Sequence, residues 1–203
     1  MHGLINRSLQ CFLCDTYGPA VWGQVTRDAA LGFDSFEALL IYDAALTDAV
    51  ISAAVQVLRR PRETILEDLG TYLVSHPNTE SLRRLLRFGG GNFVDFLHSL
   101  DDLPDRGHLA LPDLDLPKLR LLAQGDGVFH LHTAGMITGV GHVIVGLLRA
   151  MADDYGALVL LDHAGPAPID GAGWHRDAEV ISIQLLDQSY SAGRHFDLAL
   201  PGN

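Results

Sequence analysis

The sequence predicts an α+β fold, with a helical N-terminal half followed by an antiparallel β-sheet that carries one long helix. Apolar residues recur at helical spacing from Leu4 to Leu103 and then alternate at Leu119, Leu121 and Ala123. No internal repeat or low-complexity linker separates the two stretches. One domain over residues 1–186 is therefore expected, with 187–203 as a polar C-terminal tail.

The elements follow from local signals. Leu4, Ile5, Leu9, Phe12 and Leu13 form a helical stripe that Tyr17-Gly18-Pro19 ends, and Val21, Trp22 and Val25 mark a second short helix. Asp34 or Ser35 is suited to cap a turn holding Phe36 and Leu39. Thr47 precedes a longer helix through Val50, Ala54, Val55 and Leu58, which Pro61 stops. Ile65, Leu66, Leu69, Tyr72 and Leu73 give one apolar face to a helix from Arg62 to Ser75, closed by Pro77-Asn78. Two more helices are predicted over Glu80–Phe88 and Asn92–Leu103, separated by Gly89-Gly90-Gly91, where the backbone is free to turn sharply. Gly125-Asp126-Gly127 between Lys118–Ala123 and Val128–His132 reads as a β-hairpin. Val143–Tyr155 returns to a helical period, and Ala157–Leu161 and Val180–Leu186 read as strands.

With 48% apolar and 19% charged residues, a chain of 203 can bury a full core without disulfides or metals. Cys11 and Cys14, three apart on one helix, read as small packed residues in a reducing compartment. The net charge of -11 disfavours nucleic acid and anionic membranes as partners. No apolar run reaches the roughly 20 residues that span a bilayer, and the first thirty residues hold no basic-then-apolar leader, so a cytoplasmic protein is expected. Ser8, Ser182 and Ser189 sit in no nucleophile elbow, and no phosphate-cradling glycine loop occurs, so nothing argues for an enzyme.

The opening Met1-His2-Gly3-Leu4-Ile5-Asn6-Arg7 resembles the start of an H-NOX (haem nitric oxide/oxygen binding) domain. Tyr42-Asp43 with Thr47, Leu69-Gly70-Thr71-Tyr72-Leu73-Val74, and Asn92 to Leu97 leading into Leu100-Asp101-Asp102-Leu103 resemble further signatures of that family. The resemblance implies an H-NOX-like fold, a haem cofactor and a gas-sensing role. It also implies that the residue after Leu103 is the histidine that ligates iron, and here that residue is Pro104. Family members carry prolines eight and thirteen positions after the ligand, and Pro112 and Pro117 keep that register, so Pro104 is a substitution in place. Proline has no lone pair to offer iron.

The family's Tyr-x-Ser-x-Arg cluster, which holds the haem propionates, falls by the same resemblance on Thr133, Gly135 and Ile137. Its loss removes charge-assisted hydrogen bonds worth about 1.5–3 kcal/mol each. Ile5, Phe88, Pro117, Val143 and Leu147 match the family's haem-facing apolar wall, Pro117 being the residue that distorts the macrocycle. That wall lacks the tyrosine that stabilises bound dioxygen, so nitric oxide or carbon monoxide is the expected gas if haem binds.

Among the ten histidines, His108 is the candidate for an alternative axial ligand, four residues after Pro104 and beside Gly107. His98 points about 120° away from the direction of position 104 on a helix, and His130 and His132 share one strand face with a spacing that suits a divalent metal. His163 and Trp174-His175 match positions without a chemical role in the family. Two readings follow. One is a haem-based sensor of nitric oxide or carbon monoxide that signals to a separate histidine kinase or cyclic-di-nucleotide enzyme. The alternative is a haem-free H-NOX-fold module that binds a protein or an apolar ligand.

Overall fold

The computed structural model describes residues 1–110, 112–114, 116–135, 137–167 and 177–193. Eight α-helices and four strands are described: α1 (Gly3–Tyr17), α2 (Pro19–Asp28), α3 (Ala44–Leu58), α4 (Arg62–Ser75), α5 (Glu80–Arg87), α6 (Phe93–His98), α7 (Leu103–Ala110), β1 (Lys118–Gly125), β2 (Val128–Ala134), α8 (Val140–Tyr155), β3 (Leu158–Pro166) and β4 (Glu179–Asp187). The strands form one antiparallel sheet in the order β1-β2-β4-β3. This is the α+β arrangement the sequence predicts.

Local chemistry sets most boundaries. The Nδ1 of His2 accepts from the Leu4 amide to cap α1, and the Asn92 side chain accepts from the Asp95 amide to cap α6. Asp43 caps α3 through the Ala45 amide, so that helix begins three residues before Thr47, which lies inside it. The Thr47 hydroxyl instead donates to Asn6 Oδ1 at 2.7 Å in the interior. Asp126 and Gly127, at φ 51° and 74°, make the two-residue turn joining β1 and β2. Phe36 is buried, but Leu39 is exposed and no helix forms around it.

The predicted helix over Asn92–Leu103 is a correction. It stops at His98 and a new helix starts at Leu103. Proline lacks an N–H and clashes with the preceding turn, so it is accommodated in the first turn of a helix and not in its interior. Pro104 therefore sits in the first turn of α7, one residue after its start. The corner is fixed by the Asp101 carboxylate, which accepts from the Leu121 amide at 2.7 Å, and by the Arg106 guanidinium, which donates to the Ser99 carbonyl at 2.9 Å.

Two apolar cores flank α8. One gathers α1–α4 around Leu13, Val50, Ile51, Ile65 and Leu66 and takes Val143 from α8. The other lies between the sheet and α5–α6, around Phe93, Phe96, Leu97, Leu131 and Ile181, and takes Leu147, Leu148 and Met151. Each fully buried Leu, Ile or Phe contributes roughly 1.5–3 kcal/mol. Helices α4 and α8 cross backbone to backbone, because a Cβ on Gly70 would land on the Val143 carbonyl and one on Gly146 on the Glu67 carbonyl.

Near the C-terminal end of α8 the Asp154 carboxylate, 2% exposed, takes a two-pronged ion pair from Arg83 of α5. Asp154→Ala takes this two-pronged carboxylate from the half-buried Arg83 and is expected to cost about 3 kcal/mol in urea denaturation. Close by, the Ser191 amide donates to the Gly156 carbonyl at 3.0 Å, so the start of the predicted tail packs against the end of α8. Residues 194–203 of that tail lie outside the described residues, as do Trp174 and His175.

Candidate functional site

Pro104 is half-buried in the first turn of α7. One turn on, Gly107 is buried so closely against Leu116 that a Cβ would strike that side chain, which seats α7 against the segment leading to Pro117 and β1. Val143 and Leu147 lie one turn apart on α8, both buried, but each belongs to a different core. Ile5 is half-buried on α1. Phe88 is not brought to this wall. It ends α5 as its C-cap and is 73% exposed, because the last turn of that short helix directs the residue outward before the glycines.

His98 and His108, the imidazoles nearest position 104 in the sequence, both face solvent. His108 is exposed and its Nδ1 lies 3.2 Å from the Pro112 carbonyl oxygen. His98 is exposed and meets Phe129 edge to face, with centroids 6.0 Å apart. His130 and His132 fall on the face of β2 opposite the buried Phe129, Leu131 and Thr133. Among the described residues no three of His, Cys, Asp or Glu converge in a way that suits a metal ion.

Thr133, Gly135 and Ile137, where the resemblance places the propionate clamp, differ from it in chemistry. Thr133 is fully buried, and its hydroxyl has no hydrogen-bond partner, a desolvation cost of about 1–3 kcal/mol. Gly135 has φ 105°, a backbone state that a serine adopts only under strain. Ile137 packs against the helical core. Directly across the sheet from Thr133 stands Glu179, a carboxylate beside the place where the resemblance puts a haem propionate. Pro104, these three residues and Glu179 do not fit a haem anchored by an iron–imidazole bond and a propionate clamp.

A polar cluster that the sequence reading did not assemble lies at the start of α8. Glu179 accepts from the amides of Gly139 (3.1 Å) and Gly141 (2.8 Å) and pairs with His163 Nε2 at 2.9 Å. The His163 ring stacks on His142, with centroids 4.1 Å apart and planes 22° from parallel. His142 Nδ1 lies 3.3 Å from Glu67 of α4, which also binds Arg149 at 3.0 Å. Only Gly141 admits this approach, since a Cβ there would strike both Glu179 and His163. One signal in the sequence pointed to it. Glycine at 139 and 141 leaves the helix start without a capping side chain, so an acceptor must come from elsewhere.

Comparisons with known proteins agree on the scaffold. The profile of the haem-NO-binding family matches residues 2–163. Guanylate cyclase soluble subunit beta-2 of Rattus norvegicus is 30% identical over 93 residues, which is 46% of this chain and 14% of that protein. Soluble guanylate cyclase gcy-31 of Caenorhabditis elegans is 23% identical over 154 residues, 76% of this chain and 22% of that protein. The chain thus spans less than a quarter of the length of either relative. Among solved structures, an H-NOX protein from S. oneidensis in the Fe(II)NO ligation state superposes with TM-score 0.73 at 16% identity, covering 92% of this chain and all of that one. An oxygen-binding H-NOX domain related to soluble guanylate cyclases gives TM-score 0.70 at 14% identity, over 96% of this chain and all of that one.

Proposed function

The chain belongs to the haem-NO-binding family, and on that premise we propose that it is a sensor-type regulatory domain that works without iron-ligated haem and acts on a partner by protein contact. The observation that carries this reading is Pro104, which family register puts at the position of the iron ligand and which lies in the first turn of α7. Three features support it: the altered clamp at Thr133, Gly135 and Ile137, the outward placement of His108, and the carboxylate of Glu179 beside Thr133. A separate histidine kinase or cyclic-di-nucleotide enzyme is the class of partner that family analogy attaches to the haem-based reading below, and the cytoplasm is the compartment proposed for either. The catalytic domains implied by the names of the longer relatives are not carried over to this chain.

The family's usual mode, sensing of nitric oxide or carbon monoxide through haem, is the second reading. It is favoured by Pro117, Val143 and Leu147, which keep the apolar character of the wall. Hemin titration of the purified protein separates the two. The haem-free reading expects a spectrum no different from free hemin, and full release of the pigment on a desalting column. Retention of one hemin per chain, with a spectrum that shifts under nitric oxide, would establish the second reading instead.

A further inference from the structure

The joint between the two halves is built from titratable groups. Gly139, at φ 82°, precedes α8 and accepts from the His142 amide through its carbonyl but has no side-chain oxygen to offer, so Glu179 of β4 caps the helix from across the interface. That cap is shared with His163 of β3, which stacks on His142 of α8, which in turn faces Glu67 of α4. One continuous chain of contacts therefore ties the sheet, the start of α8 and the helical half together. Solvent reaches all of it: the four side chains are between 16% and 28% exposed.

Charge decides how this chain responds to protons. Glu67 is shared between His142 and Arg149, whose side chain is 50% exposed, and Arg62, paired with Asp48, binds the Thr138 carbonyl just before the helix. β2 presents uncharged Thr133 opposite Glu179. Glu179 pairs with no arginine or lysine among the described residues, so a first proton on the stack is balanced. A second proton places two cations face to face at 4.1 Å, with one carboxylate surplus to meet them.

We propose that the stacked His142–His163 pair is a proton-operated joint between the helical half and the sheet, closed while it carries at most one positive charge and released when both rings are protonated. This goes beyond the functional reading above and holds whether or not a porphyrin binds. The joint controls the first turn of α8, because separating the rings pulls His163 and Glu179 away from the Gly139 and Gly141 amides.

Amide hydrogen exchange at residues 140–144, corrected for intrinsic rate, tests this across about pH 7.5 to 5. Protection in the wild-type chain is expected to fall by about tenfold or more on acidification. In His142→Gln, which cannot carry the second charge, it is expected to change by no more than about twofold. Parallel profiles in the two proteins would overturn the proposal. Should His142→Gln not fold, the side-chain resonances of the wild type decide. Two imidazoles titrating as one coupled pair support the joint, and two independent single-site curves overturn it.

Discussion

Pro104→His is expected to raise hemin affinity at least tenfold over the wild-type chain, a gain of about 1.4 kcal/mol or more, and to give the spectrum of an imidazole-ligated iron. The substitution places a lone pair at the one position whose register is fixed on both sides, by Leu100–Leu103 before it and by Pro112 and Pro117 after it. It costs the fold little. Position 104 lies in the first turn of α7, where proline is favoured for its preset φ but any residue is tolerated, and the α6–α7 corner is held independently by Asp101 and Arg106. Full family-like affinity is not expected, because Thr133, Gly135 and Ile137 still supply no charged partner to a propionate. Hemin uptake equal to that of the wild type would show that position 104 is not what decides haem binding here.

The second large effect is on stability. Gly146→Ala is expected to destabilise the protein by about 3 kcal/mol, the upper range of overpacking, and to lower Tm by roughly 6–12 °C for a chain of this length. Helix propensity alone points the other way, since alanine is better than glycine in a helix interior by about 1 kcal/mol. The new methyl would meet the Glu67 carbonyl of α4, and backbone in a packed helix cannot give way as a side chain can. Gly23→Ala on α2 is the matched control. There the nearest heavy atom to an added Cβ is the end of the Arg27 side chain at 3.6 Å, and a neutral or stabilising result is expected in thermal unfolding.

Much of this architecture was legible because local signals agreed with one another. The change from helical spacing to alternation near Leu119, the Asp126-Gly127 turn and the apolar faces of α1 and α4 all reported on their own surroundings. The end of α6 was not legible. Apolar residues at Phe93, Phe96, Leu97 and Leu100 continue a helical stripe, and all four are buried, yet the backbone turns at Ser99–Asp102, where Pro104 ends the continuous helix and Asp101, bonded to the Leu121 amide twenty positions away, holds the corner. Phe88 was assigned to the wall by resemblance, and its place as a C-cap residue turns it to solvent.

The positions expected for iron and propionates come from family register alone, taken residue by residue. The polar joint at α8 was not legible in the sequence. Its members come from four elements, with Glu67 separated from His142 by 75 positions and Glu179 from His163 by 16, and no short motif links a stacked pair of imidazoles to two carboxylates so far apart. Gly141 was visible as a glycine in a helix, but the reason for it, the approach of Glu179 and His163, exists only in three dimensions.

The optical absorption spectrum of the wild-type protein, purified from cells supplied with a haem precursor, addresses the central claim most directly. With proline at the iron position and no clamp for the propionates, the protein should show no Soret band and contain no stoichiometric iron. A Soret band at one haem per chain that survives dialysis, with an axial histidine signature abolished by His108→Ala, would contradict that claim.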